Sequence, residues 1–74
     1  MANYVIEGVD ENDGNRTVLH ECETSSDARR WLNGYTRRND GETAGGWHLI
    51  EVYDVRGGDA ERVFWWEAGA TFLA

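Results

Sequence analysis

Two histidines and one cysteine are the residues best suited to chemistry in this chain. His20 and Cys22 point the same way on one predicted strand, and His48 falls on the same predicted face of the sheet. With Asp54 or water as a fourth ligand, they would make a donor set that zinc accepts. Closed zinc sites use paired Cys or His at short, recurring spacings, and a chain with one cysteine has no such pair. We therefore expect ordinary core or rim histidines, with no metal and no cofactor.

A nucleophilic Cys22 paired with a histidine is the other chemistry that these residues allow. A reactive thiolate needs a partly open site that stabilises it, and only the position of Cys22 just before a helix favours one. The carboxylates of Asp10 and Glu11 lie beside a turn and are expected to be solvated. Gly45-Gly46 and Gly57-Gly58 lack the strand-to-helix context of a nucleotide-binding loop. The sequence therefore predicts a protein that is not an enzyme.

One helix, predicted from Ser25 to Arg38, organises the rest of the chain. Ser25-Ser26-Asp27 is a run of N-cap residues, whose side chains accept the free N–H groups of a first turn. Apolar residues then recur at i, i+3, i+4 and i+7 and form one stripe: Ala28, Trp31, Leu32 and Tyr35. Gly34 costs about 1 kcal/mol relative to Ala in a helix interior. We interpret this glycine as a point of close contact with a strand.

The remaining pattern predicts an α+β fold. Asn12-Asp13-Gly14 and Arg56-Gly57-Gly58-Asp59 indicate hairpin turns, and 39–46 reads as a polar loop. The predicted order is ββαββ, in which two antiparallel hairpins form a four-stranded sheet with one helix packed on one face. Strands are predicted at 3–10, 16–23, 47–55 and 61–68. Residues 1–74 are expected to form a single domain, with 69–74 as a tail that frays or covers an edge.

Side-chain alternation assigns the two faces of each predicted strand. Because glutamate is rarely buried without a partner, four glutamates mark the outer face, which is turned away from the helix: Glu7, Glu21, Glu51 and Glu67. The predicted helix-facing set is Tyr4, Ile6, Val18, His20, Cys22, His48, Ile50, Val52, Phe64, Trp66 and Ala68. The predicted outer set adds Val5, Val9, Leu19, Leu49, Tyr53, Val63 and Trp65. A face that is acidic, aromatic and apolar at once predicts an interface, although strand propensity alone also favours such residues.

The charge balance restricts the partners that this chain is suited to bind. Fourteen acidic residues oppose seven arginines and no lysine, for a net charge of -7. This acidity makes nucleic acid an unlikely partner and favours a basic protein. The alternative is a small nucleic-acid-binding module that contacts phosphates through Arg29, Arg30 and Arg37 on the polar side of the helix.

The sequence shows no recognisable targeting signal, and we therefore expect a cytoplasmic protein. No apolar stretch is long enough to cross a bilayer, and no signal-peptide pattern opens the sequence. A lone cysteine agrees with a reducing compartment.

The short length, the arginines without lysine and compact hairpins such as Asn12-Asp13-Gly14 give the chain a family resemblance. It resembles the small, acidic, Trp- and Arg-rich accessory proteins of bacteriophages that infect GC-rich hosts, including inhibitors of CRISPR complexes and other host-takeover proteins. The resemblance implies a non-catalytic protein that binds and redirects a host protein in the host cytoplasm.

The sequence thus predicts a protein-binding module that acts through its outer sheet face. Aromatic side chains would anchor a basic partner or a second copy of the chain, and carboxylates would steer it. The predicted partner-binding residues are Glu7, Leu49, Glu51, Tyr53, Trp65 and Glu67.

Overall fold

The computed structural model describes residues 2–10, 12, 14–38, 47–67 and 69–73. Its elements are β1 (Tyr4–Val9), β2 (Arg16–Cys22), α1 (Ser25–Arg38), β3 (Leu49–Asp54), β4 (Glu61–Glu67) and β5 (Ala70–Leu73). The predicted α+β class is confirmed, but the order is ββαβββ and the predicted four-stranded sheet is wrong by one strand. The predicted loop 39–46 lies outside the described residues, as do Asp13 of the first predicted turn and Ala68 of the predicted helix-facing set.

The strands form one antiparallel sheet in the order β2-β1-β3-β4-β5. Strand β1 pairs with β3 and so joins the β1–β2 hairpin to the β3–β4 hairpin. This pairing places Ile6 opposite Val52 and Glu7 opposite Glu51. This pairing makes β3 the central strand. Its side chains therefore have neighbouring strands on both sides.

The helix covers one face of this sheet, called the inner face below. Its predicted bounds are confirmed, but the N-cap is Thr24, one residue before the predicted cap run. The Thr24 Oγ1 accepts a hydrogen bond from the backbone N–H of Asp27 at 3.1 Å. Ala28 and Leu32, from the predicted apolar stripe, are fully buried. Gly34 has nothing within 4 Å of the position of an added Cβ, so the predicted contact with a strand is wrong.

The core lies between α1 and the inner face. Its buried members include six of the side chains predicted to face the helix: Tyr4, Ile6, Ile50, Val52, Phe64 and Trp66. At the β2 edge the core is extended by a stack of three rings. The ring centroids of His20 and Trp31 are 5.0 Å apart, and those of Trp31 and Tyr35 are 4.8 Å apart. Alternation therefore predicted the inner face correctly on β1, β3 and most of β4.

Two β-bulges break this alternation. In β2 the pairing with β1 shifts between Ile6 and Glu7, so that Glu7 lies opposite Val18 and Leu19 is the extra residue. Val18 is therefore 52% exposed instead of facing the helix. Leu19, predicted on the outer face, packs against the core.

The second bulge lies in β4, where the pairing with β3 shifts between Val52 and Tyr53. Phe64 stays opposite Val52, Arg62 moves opposite Tyr53, and Val63 is the extra residue. Val63, predicted on the outer face, packs against the core instead.

The fifth strand begins after a two-residue connection. Gly69 there has a φ of 86°, a left-handed conformation that favours glycine. This turn lays β5 against β4, with Phe72 opposite Trp65 and their rings stacked at 5.7 Å. The tail predicted at 69–74 therefore adds a strand along its 70–73 segment, and it does so by packing an aromatic side chain on the outer face.

Gly8 on β1 lies against the ring of Trp47, which packs on the core, and this contact can be tested through stability. An added Cβ would lie 2.6 Å from the Trp47 Cδ2 and 2.9 Å from two more atoms of the same ring. Gly8→Ala should therefore push the indole off the strand and lower the free energy of unfolding by about 1–3 kcal/mol in urea titrations. Gly34→Ala is the matched control and should raise that free energy by up to about 1 kcal/mol. Equal effects of the two substitutions would contradict this packing.

Candidate functional site

The outer face, opposite the helix, is organised around one carboxylate. Glu51 on β3 is 3% exposed and is the buried charged residue of the described chain. Its Oε1 accepts hydrogen bonds from Arg16 and from the hydroxyl of Tyr53, the latter at 3.1 Å. Its Oε2 accepts a hydrogen bond from Arg62 Nη1 at 2.8 Å. We call these four residues the Glu51 cluster.

The two bulges create this cluster. Unbroken alternation would place Arg16 with His20, and Arg62 with Phe64, on the inner face beneath the helix. The extra residue in each strand moves both arginines to the outer face. They approach Glu51 from opposite sides, since Arg16 comes from β2, across β1, and Arg62 comes from β4.

The cluster is electrostatically satisfied at neutral pH. Burial raises the pKa of Glu51, but hydrogen bonds from Arg16, Arg62 and Tyr53 outweigh it and hold that pKa below the ordinary value. The hydrogen bond to Glu51 raises the pKa of Arg16. Burial and then the hydrogen bond to Glu51 raise the pKa of Tyr53. Glu51 is therefore an ionised structural residue.

The free acidity of the outer face lies at its margins. Glu7 is 3.5 Å from Arg16, so two glutamates and two arginines balance at the centre. Glu21 and Glu67 are both exposed, one on β2 and the other on β4. Among the described residues, the unbalanced negative charge of the outer face therefore lies on Glu21 and Glu67.

Aromatic side chains occupy the β4–β5 side of the outer face. The guanidinium carbon of Arg62 lies 3.9 Å from the centroid of the Trp65 ring, and Phe72 stacks on the same ring. Phe72 is 44% exposed. We call Trp65 and Phe72 the aromatic shelf, because their rings stack on the outer face beside Glu67.

The register thus brings the predicted partner-binding residues to one face, with different exposures. Glu7, Leu49, Tyr53 and Trp65 are half-buried, and Glu67 is exposed. Glu51 shares the face but is held beneath its two arginines. Side-chain alternation does not predict that Arg16, Arg62 and Phe72 also lie on this face. The rule that marked glutamates as outward-facing also applies to arginines, and it would have signalled both bulges.

The predicted arginine face of α1 forms a shallow groove lined by Ser26, Arg29, Arg30, Asn33, Gly34 and Arg37. Arg30 Nη1 lies 3.5 Å from Asp27 Oδ1. The guanidinium of Arg29 lies over the Phe64 ring at 5.5 Å. The groove carries three positive charges and is open above Gly34.

The residues considered for metal or thiol chemistry are dispersed. Among the described residues, no three His, Cys, Asp or Glu side chains gather closely enough to hold a metal ion. His20 is stacked on Trp31, and the buried Nδ1 of His48 has no hydrogen-bond partner within the described ranges. Burial and then the charge of Asp27 raise the pKa of Cys22, which disfavours its thiolate.

Comparison with known proteins gives no matching family model, curated protein or solved structure. Within the described ranges, no helix is both long and apolar enough to span a membrane.

The Glu51 cluster predicts a specific dependence of stability on pH. Glu51→Gln should lower the free energy of unfolding by about 1–3 kcal/mol at pH 7, because two half-exposed arginines lose their shared carboxylate. The folded pKa of Glu51 is lowered, so its contribution is present above the unfolded value of about 4.3 and fades as pH falls through the folded pKa. The difference between wild type and variant in urea titrations should therefore shrink at acidic pH.

Glu67→Gln serves as the control for an exposed carboxylate on the same face, with an expected effect within about 0.5 kcal/mol. A Glu51→Gln effect that stayed constant between pH 7 and pH 3 would contradict the ionised cluster.

Proposed function

We propose that this chain is a non-catalytic protein-binding module that captures a basic partner through the outer face of its sheet. The observation that carries the proposal is the aromatic shelf. Trp65 and Phe72 form a stacked, partly exposed pair, and the exposed carboxylate of Glu67 lies next to it on β4. Aromatic anchors are typical of the centres of protein interfaces, and polar or charged residues are typical of their rims.

Charge supports a basic partner. The chain carries -7 overall, and the arginines of the outer face are already engaged by Glu7 and Glu51. Glu21 and Glu67 remain to attract positive charge, which speeds encounter more than it strengthens the final complex. Leu49 and Tyr53 add half-buried area between these carboxylates.

The resemblance to phage accessory proteins extends this proposal. The partner would be a host protein, and the chain would act in the host cytoplasm by occupying or redirecting it. The small size of the chain suits a protein that blocks a surface of its partner.

Charge reversal at the margins tests the outer face. Glu21→Arg with Glu67→Arg should weaken binding of a captured host protein about tenfold or more, mainly through a slower association rate in surface plasmon resonance. Glu51 is unsuitable for reversal, because a third cation beside Arg16 and Arg62 would disrupt the fold.

The matched control changes the same charge elsewhere. Asp59→Arg with Glu61→Arg alters the exposed end of the β3–β4 hairpin, away from the shelf, and should leave the association rate within about twofold of wild type. If both double variants lowered the association rate equally, net charge alone would explain the effect. The outer face would then be ruled out as the binding surface.

A second candidate function is binding of nucleic-acid phosphates in the groove of α1. The specific observation is Gly34, which lies in this groove although nothing lies within 4 Å of the position of an added Cβ. A glycine there lets a ligand approach the helix backbone between Arg30 and Arg37, whose guanidinium groups suit phosphate oxygens.

Fluorescence anisotropy with a labelled single-stranded oligonucleotide tests this groove. Three arginine contacts predict a slope of about -2 in a plot of log affinity against log salt. Arg37→Gln should reduce the slope by about 0.7, whereas Arg56→Gln in the β3–β4 turn should not change it. Gly34→Ala should weaken binding while stabilising the fold. Absence of binding at low salt would exclude this function.

A further inference from the structure

The two edges of the sheet differ in how they are protected. The β2 edge exposes Val18, but it also carries Arg16, Glu21 and a β-bulge, and charged side chains and bulges on an edge strand hinder pairing with another chain. The β5 edge contains only Ala, Thr, Phe and Leu. Phe72 is 44% exposed and Leu73 is 67% exposed. Among the described residues, the β5 edge is therefore the one open to pairing.

The connection before β5 fixes which backbone groups are free. Glu67 pairs with Ala70 across two connecting residues, and the pair that closes such a hairpin exchanges both of its hydrogen bonds. Hydrogen-bonded and non-hydrogen-bonded pairs then alternate along the ladder. Ala70 and Phe72 therefore bond to β4, while the N–H and C=O groups of Thr71 and Leu73 point away from the sheet.

We propose that β5 pairs with β5 of a second copy, in an antiparallel arrangement centred on Phe72. Thr71 then lies opposite Leu73 of the second copy, and Leu73 opposite its Thr71. Both pairs present outward N–H and C=O groups, so they form four hydrogen bonds and join the two sheets into one of ten strands.

This register also aligns the outer faces. Phe72 meets Phe72 of the second copy in a non-hydrogen-bonded pair, where opposing side chains are closest. Since each Phe72 stacks on its own Trp65, four aromatic rings form a row across the seam. The dimer buries the exposed part of Phe72 and makes the two aromatic shelves continuous.

Charge decides how this dimer responds to salt. Each copy carries -7, so two copies carry twice that, or -14, whereas the seam itself contains no charged side chain. Repulsion is then long-range and is screened by salt, so dimerisation strengthens as ionic strength rises. Association of the acidic face with the arginine groove of another copy would weaken instead.

The seam is small compared with the roughly 1,200–2,000 Å² that stable interfaces bury. We therefore expect a dissociation constant on the order of 100 μM. The dimer needs no other protein, and this inference does not depend on the proposed host partner.

Sedimentation equilibrium of the full chain, from about 5 to 500 μM protein, tests the dimer. Wild type should dimerise, and more so when NaCl rises from about 0.01 M to 0.15 M, which shortens the Debye length from about 30 Å to 8 Å. Thr71→Pro removes an outward N–H without removing a hydrogen bond to β4, and it should weaken dimerisation at least tenfold. Thr71→Val retains that N–H and should dimerise like wild type.

Two cysteine variants in a Cys22→Ser background test the register. Phe72→Cys should form an intermolecular disulfide under mild oxidation, because non-hydrogen-bonded partners have Cα atoms about 4.5 Å apart. Leu73→Cys should not, since its counterpart lies beyond the roughly 7 Å limit. A monomer throughout the concentration range, a dimer unaffected by Thr71→Pro, or cross-linking at position 73 but not 72 would overturn the proposal.

Discussion

The structure depends on a buried carboxylate that is shared by two arginines from different strands. Glu51 lies on the central strand and is 3% exposed, so its charge would be costly without close partners. Arg16 and Arg62 supply them from β2 and β4, one on each side of β3. The cluster therefore links strands that are not all neighbours. It requires that both hairpins adopt the correct register at the same time, because a one-residue slip would separate each guanidinium from the carboxylate.

The two bulges stabilise both faces of the sheet. Each inserts one residue, which sends an arginine to the outer face and leaves an apolar residue, Leu19 or Val63, packed at the margin of the core. Without the insertion, the same strands would bury two guanidinium groups under α1 and expose those apolar side chains. The bulged register is thus favoured twice, by ion pairing on one face and by apolar burial on the other.

The sequence predicts those parts of the fold that follow a regular period. The stripe of Ala28 and Leu32 marks α1, whose predicted bounds are confirmed, and alternation marks the buried residues of β1 and β3. The bulges cannot be predicted in this way, because an alternating pattern of residues does not show where an extra residue is inserted. Only the improbability of a buried Arg16 or Arg62 signals one. The strand at 70–73 escapes prediction because four residues are too few to establish a period, although it forms a tight hairpin with β4 in which Phe72 stacks on Trp65.

The same cluster that secures the fold also limits where the outer face can recognise another molecule. Its central charges satisfy one another, so an approaching protein gains little from Glu51 and would have to compete with two arginines for it. Exposed apolar side chains and carboxylates outside the cluster remain at the margins, with Glu67 and Phe72 on β4 and β5 and Val18 and Glu21 on β2. A chain of 74 residues also buries only about 60% of its unfolded surface. The β5 margin is therefore where additional burial, by a partner or a second copy, would stabilise the protein most.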